Sequence, residues 1–120
     1  MVDFSIVTVV KFSEKTITRN IRSITNQTHK SYEHIIVCHV DDVKSKTKIK
    51  KIKKNKINLI ISTDNNLYEA MNIGIKNAKG QFITFLNADD IFKNSKVLEN
   101  IKKKIIEFSK IGSFYGDIEI

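Results

Sequence analysis

Apolar positions along the chain follow two alternating rhythms: short, nearly continuous β-branched runs, and stripes that repeat every three or four residues. Phe4–Val10 (Phe-Ser-Ile-Val-Thr-Val-Val) and His34–Cys38 (His-Ile-Ile-Val-Cys) have the composition of strands buried inside a parallel sheet. Ile57–Ile61 predicts a third strand and Ser113–Ile118 a fifth. Between them Gln81–Leu86, uncharged and rich in aromatic and β-branched residues, predicts a fourth strand, central and buried on both faces. The stripes predict helices. Ile17, Ile21 and Ile24 follow a candidate N-cap at Ser13; Ile49 and Ile52 mark a thin stripe within Lys44–Lys56. Leu67, Ala70, Met71, Gly74 and Ala78 form the next helix, with Gly80 as its C′ residue; Tyr68, Ala70, Met71 and Gly74 are assigned to packing, Gly74 by close approach to a neighbour, since glycine inside a helix costs on the order of 1 kcal/mol. Val97, Leu98, Ile101, Ile105 and Phe108 form the last, opened by Asn94 or Ser95 and left at Gly112. Strands alternating with helices specify an α/β fold: a Rossmann-like, mostly parallel sheet flanked by helices.

At 120 residues the chain is expected to make one domain. Its formal net charge of +8 favours anionic partners without choosing among them. Lys44–Lys56 holds eight lysines, read first as a solvated helix face. Its stronger alternative is an anionic membrane surface, to which each basic residue contributes on the order of 1 kcal/mol. Nucleic acid is disfavoured, because no aromatic residue is interleaved with the lysines for base stacking. A lone Cys38, no apolar run long enough to span a bilayer and no basic-then-apolar leader lead to the expectation of a cytoplasmic protein, at most peripheral at the inner membrane face. Asn26-Gln27-Thr28 matches a glycosylation acceptor by chance in that setting.

Candidate chemistry collects where strands end. Asn87, Asp89 and Asp90 follow the fourth strand, and His39, Asp41 and Asp42 follow the second, on the carboxyl-end rim where open α/β sheets bind ligands. Clustered carboxylates there suit a hard divalent cation and, through it, a phosphate. The plainer alternative is a turn and a helix cap, both common uses of Asp. His29, His34 and His39 are too dispersed to predict a metal site.

Taken together, Phe-Ser-Ile-Val-Thr-Val-Val, Ile-Arg-Ser-Ile-Thr-Asn-Gln-Thr, Tyr-Glu-His-Ile-Ile-Val, Leu-Tyr-Glu-Ala-Met-Asn-Ile-Gly-Ile, Ala-Lys-Gly-Gln-Phe-Ile-Thr-Phe-Leu-Asn-Ala-Asp-Asp and Tyr-Gly-Asp resemble, in order and spacing, the N-terminal half of family 2 glycosyltransferases of the GT-A fold. The resemblance implies an inverting transfer of a sugar from a nucleotide-diphosphate donor, UDP-linked by expectation, to an acceptor hydroxyl of a glycan or lipid-linked acceptor in surface polysaccharide synthesis. It also implies a divalent cation, Mn or Mg, that neutralises the leaving diphosphate. Carried over by position, it assigns the cation to Asp89 and Asp90, and the nucleotide-sugar to Thr8, Val10, Asp41, Asp42, Asp64, Asn72, Asn87 and Asp89.

Two departures stand out. The first acidic position of the metal motif is Asn87, a neutral and weaker ligand. Where the family places an Asp that accepts the uracil N–H, this chain has Cys38, a poor acceptor, so Asp41 or Asp42 would have to take over. The resemblance puts the general base beyond Ile120; Asp117 matches a position near the acceptor side. The expected organisation is therefore one nucleotide-sugar-binding domain over residues 1–120, without the acceptor-binding C-terminal part. Two other readings stay open: a nucleotide-sugar-binding fragment without transferase activity, and a basic protein that binds nucleic acid or a membrane surface through Lys44–Lys56.

Overall fold

Seven consecutive residues of the first strand, none charged, can be stable only if both faces of the strand are covered, and they are. The computed structural model describes residues 2–52 and 56–111, with side chains through residue 109. In it β1 (Phe4–Val10), α1 (Ile17–Thr25), β2 (Tyr32–His39), α2 (Val43–Ile52), β3 (Ile57–Ser62), α3 (Leu67–Asn77), β4 (Phe82–Phe85) and α4 (Val97–Ile111) alternate strictly. The strands pair in parallel in the order β3-β2-β1-β4. This is the Rossmann-like α/β architecture that the alternation predicts. The expected fifth strand, the Gly112 exit and residues 53–55 of the lysine-rich segment lie outside the described residues.

One face of the sheet packs Val10, Ile36 and Cys38 against Ile17 and Ile21 of α1 and Ile49 of α2, while Phe4, Ile6 and Tyr32 meet Ile24 and the α4 residues Leu98 and Ile101. Val7, Ile35 and Val37 on the other face meet Ala70 of α3. His34 is embedded in the first face, its Nε2 hydrogen-bonded to Thr8 Oγ1 at 2.8 Å. Burial depresses its pKa from 6.5 to about 3, so it stays neutral. The predicted stripes of α1 and α4 are buried except at Phe108, which is 38% exposed.

Four expectations are corrected. The fourth strand is not central or covered on both faces: β4 pairs only with β1 among the described residues, and α3 packs over β1 and β2, leaving Ile83 and Phe85 41% and 39% exposed. Ser13 does not cap α1; its carbonyl accepts the amides of Thr16 and Ile17, forming a turn before the helix starts. Gly80 is not the residue that ends α3, which stops at Asn77 with Ala78 as C-cap. Instead its amide donates to Ser5 Oγ at 2.8 Å as the chain passes close over β1. Tyr68, expected in the core, is 77% exposed.

Gly74 packs against β1, as close packing predicted: a Cβ there would overlap Val7 Cγ1, a side-chain atom. At Gly80 a Cβ would lie 2.7 Å from the backbone of both Phe4 and Ser5. Urea unfolding should therefore give Gly74→Ala a loss of about 1–3 kcal/mol, softened by alanine's better helix propensity. Gly80→Ala should lose more, because backbone rather than a rotatable side chain has to move; wild-type stability in both variants would contradict this packing.

Candidate functional site

The carboxyl end of β1 leads into a loop that turns sharply at Phe12, whose φ of 56° lies in the left-handed region that bulky residues avoid. What holds the loop is Asp42. Its carboxylate accepts the Ser13 amide at 3.3 Å and the Ser45 amide at 3.2 Å, capping α2 and tying the β1–α1 loop to it at once. Ser45 Oγ accepts the same Ser13 amide at 3.2 Å. Burial would raise the Asp42 pKa, but hydrogen bonds from Ser45, Ser13 and Phe12 hold it below the ordinary carboxylate value. The result is that Phe12 stands 69% exposed on the rim.

The turn after β4 is shaped from the opposite side by α1. Fully buried Asn20 donates from Nδ2 to the carbonyls of Asn87 at 2.9 Å and Asp90 at 3.1 Å. One turn on, Ser23 Oγ accepts the Phe92 amide at 3.2 Å. Gln27, just past the end of α1, then donates to the Asn94 carbonyl at 2.6 Å and accepts the Leu98 amide at 3.1 Å, serving as a cap for α4 supplied from a distant segment. Asn94 accepts the Lys96 amide at 2.8 Å in a turn ahead of the helix, and neither it nor Ser95 takes the expected cap position, since α4 begins at Val97 and the Lys96 carbonyl accepts the Asn100 amide.

Between the two loops lies a cavity of about 720 Å³, lined by Val9, Phe12, Ser13, Glu14 and Thr16 on one side and Asn87, Ala88 and Asp89 on the other, with Leu67 at its edge. A second cavity of about 360 Å³ adjoins it, sharing Phe12 and Glu14 and adding Asp41, Asp42, Val43 and Lys44. Asn87, Asp89, Asp41 and Asp42 are thus brought together around Phe12. Asp90 is exposed and does not line the cavities. Thr8 and Val10 are fully buried, and the Thr8 hydroxyl is engaged by His34, so only their backbone is near the rim. Asp64 accepts the Ser62 hydroxyl, while its carbonyl accepts from His39 Nε2 at 3.2 Å. His39 Nδ1 accepts the Asp41 amide at 3.1 Å, so this ring cross-links the loops after β2 and β3. Asn72 is exposed on α3 and lines neither cavity. Cys38 is fully buried against α1 and α2, where burial first and the nearby Asp42 second push its thiol up to about 11.

No group of three His, Cys, Asp or Glu converges among the described residues. Asp89, with neutral Asn87 beside it, suits a Mn or Mg ion that takes one or two protein oxygens and completes its shell with substrate phosphates and water. Phe12, Asn20, Ser23 and Gln27 were not among the expected site residues. Asn20, Ser23 and Gln27 repeat at spacings of three and four, so a polar stripe was legible beside the isoleucine one; Phe12 carried no comparable signal.

The chain matches the family described as glycosyl transferase family 2 over residues 5–116. It is 37% identical over 84 residues to an uncharacterized glycosyltransferase of Rickettsia conorii, covering 68% of this chain and 14% of that protein. Over 111 residues it is 31% identical to the Escherichia coli UDP-Glc:alpha-D-GlcNAc-diphosphoundecaprenol beta-1,3-glucosyltransferase WfgD, covering 90% of this chain and 42% of that one. The crystal structure of S. aureus TarS 1-349 in complex with UDP superposes with a TM-score of 0.77 at 26% identity, covering 89% of this chain and 33% of TarS 1-349. The fold is thus that of GT-A glycosyltransferases. The chain spans less than half the length of each of these relatives.

Because Asp42 satisfies two loops with one buried carboxylate, Asp42→Ala should lose about 1–3 kcal/mol in urea unfolding at neutral pH. A folded pKa below the unfolded value means that this stabilisation is present above about pH 4 and vanishes as pH falls through the folded value. The gap between wild type and variant should therefore narrow on acidification below pH ~4; a gap independent of pH would contradict the assignment.

Proposed function

The chain belongs to glycosyl transferase family 2, and from that premise we propose that it forms the donor-binding part of an inverting enzyme that transfers a sugar from a UDP-linked donor to an acceptor hydroxyl. The observation that carries the reading is the cavity at the carboxyl rim of a parallel sheet, with an exposed aromatic on one wall and Asn87 and Asp89 on the other. The uracil stacks on Phe12, an aromatic surface already held in the open. Asp41, exposed beside it in the adjoining cavity, accepts the ring N–H in place of the Asp that Cys38 replaces. Asp42 supports this wall without being free to bind, since its carboxylate is spent on Ser13 and Ser45.

The diphosphate lies toward Asn87 and Asp89, where a bound Mn or Mg ion would offset the charge that develops on the leaving group. Asp89 is its main protein ligand, Asn87 a weaker one, and Asp90 is exposed next to them. Asp64 acts at a distance, fixing the rim loops through Ser62 and His39, while Asn72 stands open on α3 away from both cavities. An acidic residue from a part of the enzyme beyond this domain serves as general base. WfgD, named for a diphosphoundecaprenol-linked acceptor, supports a lipid-linked glycan acceptor and a place in surface polysaccharide synthesis. A site at the inner membrane face suits α2, whose Lys44, Lys48, Lys50 and Lys51 are exposed.

Calorimetric titration of the chain with UDP, with and without Mn, tests the assignment. Phe12→Ala should lose about 1–3 kcal/mol of UDP affinity with or without the ion, the worth of one stacked base. Asp89→Ala should abolish the gain that Mn gives and leave metal-free binding unchanged. GDP should bind more weakly than UDP. Unaltered UDP binding in both variants would place the donor elsewhere and sink the proposal.

A further inference from the structure

Asn20 is a polar side chain with no exposure, carried on the buried face of α1 between Ile17 and Ile24. Its two hydrogen-bonding neighbours are both backbone carbonyls, Asn87 O at 2.9 Å and Asp90 O at 3.1 Å, so only the amide nitrogen can face them. The carbonyl Oδ1 is thereby turned away from them, buried and without a partner among the described residues. A buried acceptor left unpaired is costly, and one polar atom sacrificed to hold two others suggests that the geometry of those two is what is retained. They are the first and last residues of Asn87-Ala88-Asp89-Asp90, a turn closed by the Asp90 amide on the Asn87 carbonyl at 3.0 Å. Asn20 thus grips the turn at both ends, and Asp89 is carried between them.

We infer that Asn20 is a positioning residue for this turn, presetting Asn87 and Asp89 for a divalent cation and the diphosphate it would bridge. The inference rests on the donor-site reading above for its ligand, and on the two Asn20 hydrogen bonds for its geometry. Ser23 and Gln27 do a different task. They hold Phe92, Asn94 and Leu98, downstream of the turn, and so secure the start of α4 whether or not residue 20 can donate. The two functions are separable by mutation.

The test compares the full chain with Asn20→Ala, with Asn20→Leu, which keeps the side chain's shape without its donor, and with Gln27→Leu. Loss of a group that orients metal ligands typically lowers metal affinity by about 10–100-fold, so both Asn20 variants should lose at least about tenfold of the Mn-dependent UDP affinity. Their Mn-free UDP affinity should stay within about twofold of wild type, which a merely unfolded or loosened protein would not do. Gln27→Leu should lower the melting temperature yet keep the Mn-dependent gain. Folded Asn20 variants that retain that gain would overturn the inference. If wild type binds no UDP, the donor-site reading fails by itself. The clamp is then judged by the amide resonances of Asp89 and Asp90, which should shift in Asn20→Leu but not in Gln27→Leu; unshifted resonances in Asn20→Leu would overturn it.

Discussion

Three polar side chains, two on α1 and one just past its end, hold the functional end of this domain together. Asn20, Ser23 and Gln27 meet the chain between Asn87 and Leu98 through its backbone, so they do not occupy the side chains of Asn87 and Asp89. The same helix buries Ile17, Ile21 and Ile24 against the sheet. Its position is therefore set by apolar burial, and it transmits that position to the turn by hydrogen bonds. A turn carrying two adjacent carboxylates has one small apolar anchor, Ala88 in the core, and takes the rest of its order through α1.

The opposite wall uses the same device with reversed polarity. Where Asn20 offers amide donors to carbonyls, Asp42 offers a carboxylate to amides, and a single buried charge caps α2 while folding the β1–α1 loop back on itself. Phe12 is left exposed with a left-handed backbone where its neighbour Ser13 is held by Asp42 and Ser45. Both walls stand at the carboxyl ends of parallel strands, where the crossovers leave a crevice. The rigid sheet sets the spacing between them, and the loops supply the chemistry.

Much of this was legible in the amino-acid order. β1 was read to the residue, the isoleucine stripe of α1 was read completely, and the rim position of Asn87, Asp89, Asp41 and Asp42 followed from placing strand ends. The failures have physical causes. The apolar run at β4 looked central because composition reports how apolar a strand is, not how many neighbours it has, and Ile83 and Phe85 are as apolar on an open face as on a covered one. Cys38 lies near the end of β2 and Asp42 in the loop after it, yet a thiol turned into the core and a carboxylate committed to two amides can be told from binding groups only by their partners. Asn20 was passed over because a polar residue between isoleucines reads as the solvent side of a helix until the segment it holds, nearly seventy residues away, is in place.

The central claim is that the crevice between Phe12 and Asp89 is the donor site. It is tested most directly by adding Mn, in the presence of UDP, to the isotope-labelled chain and observing which amide resonances the paramagnetic ion broadens. The account predicts selective broadening of Asn87–Asp90 and of the loop through Phe12–Thr16, with Lys30 and Tyr32 at the far end of the sheet left sharp. Broadening centred elsewhere, or none that depends on UDP, would contradict it.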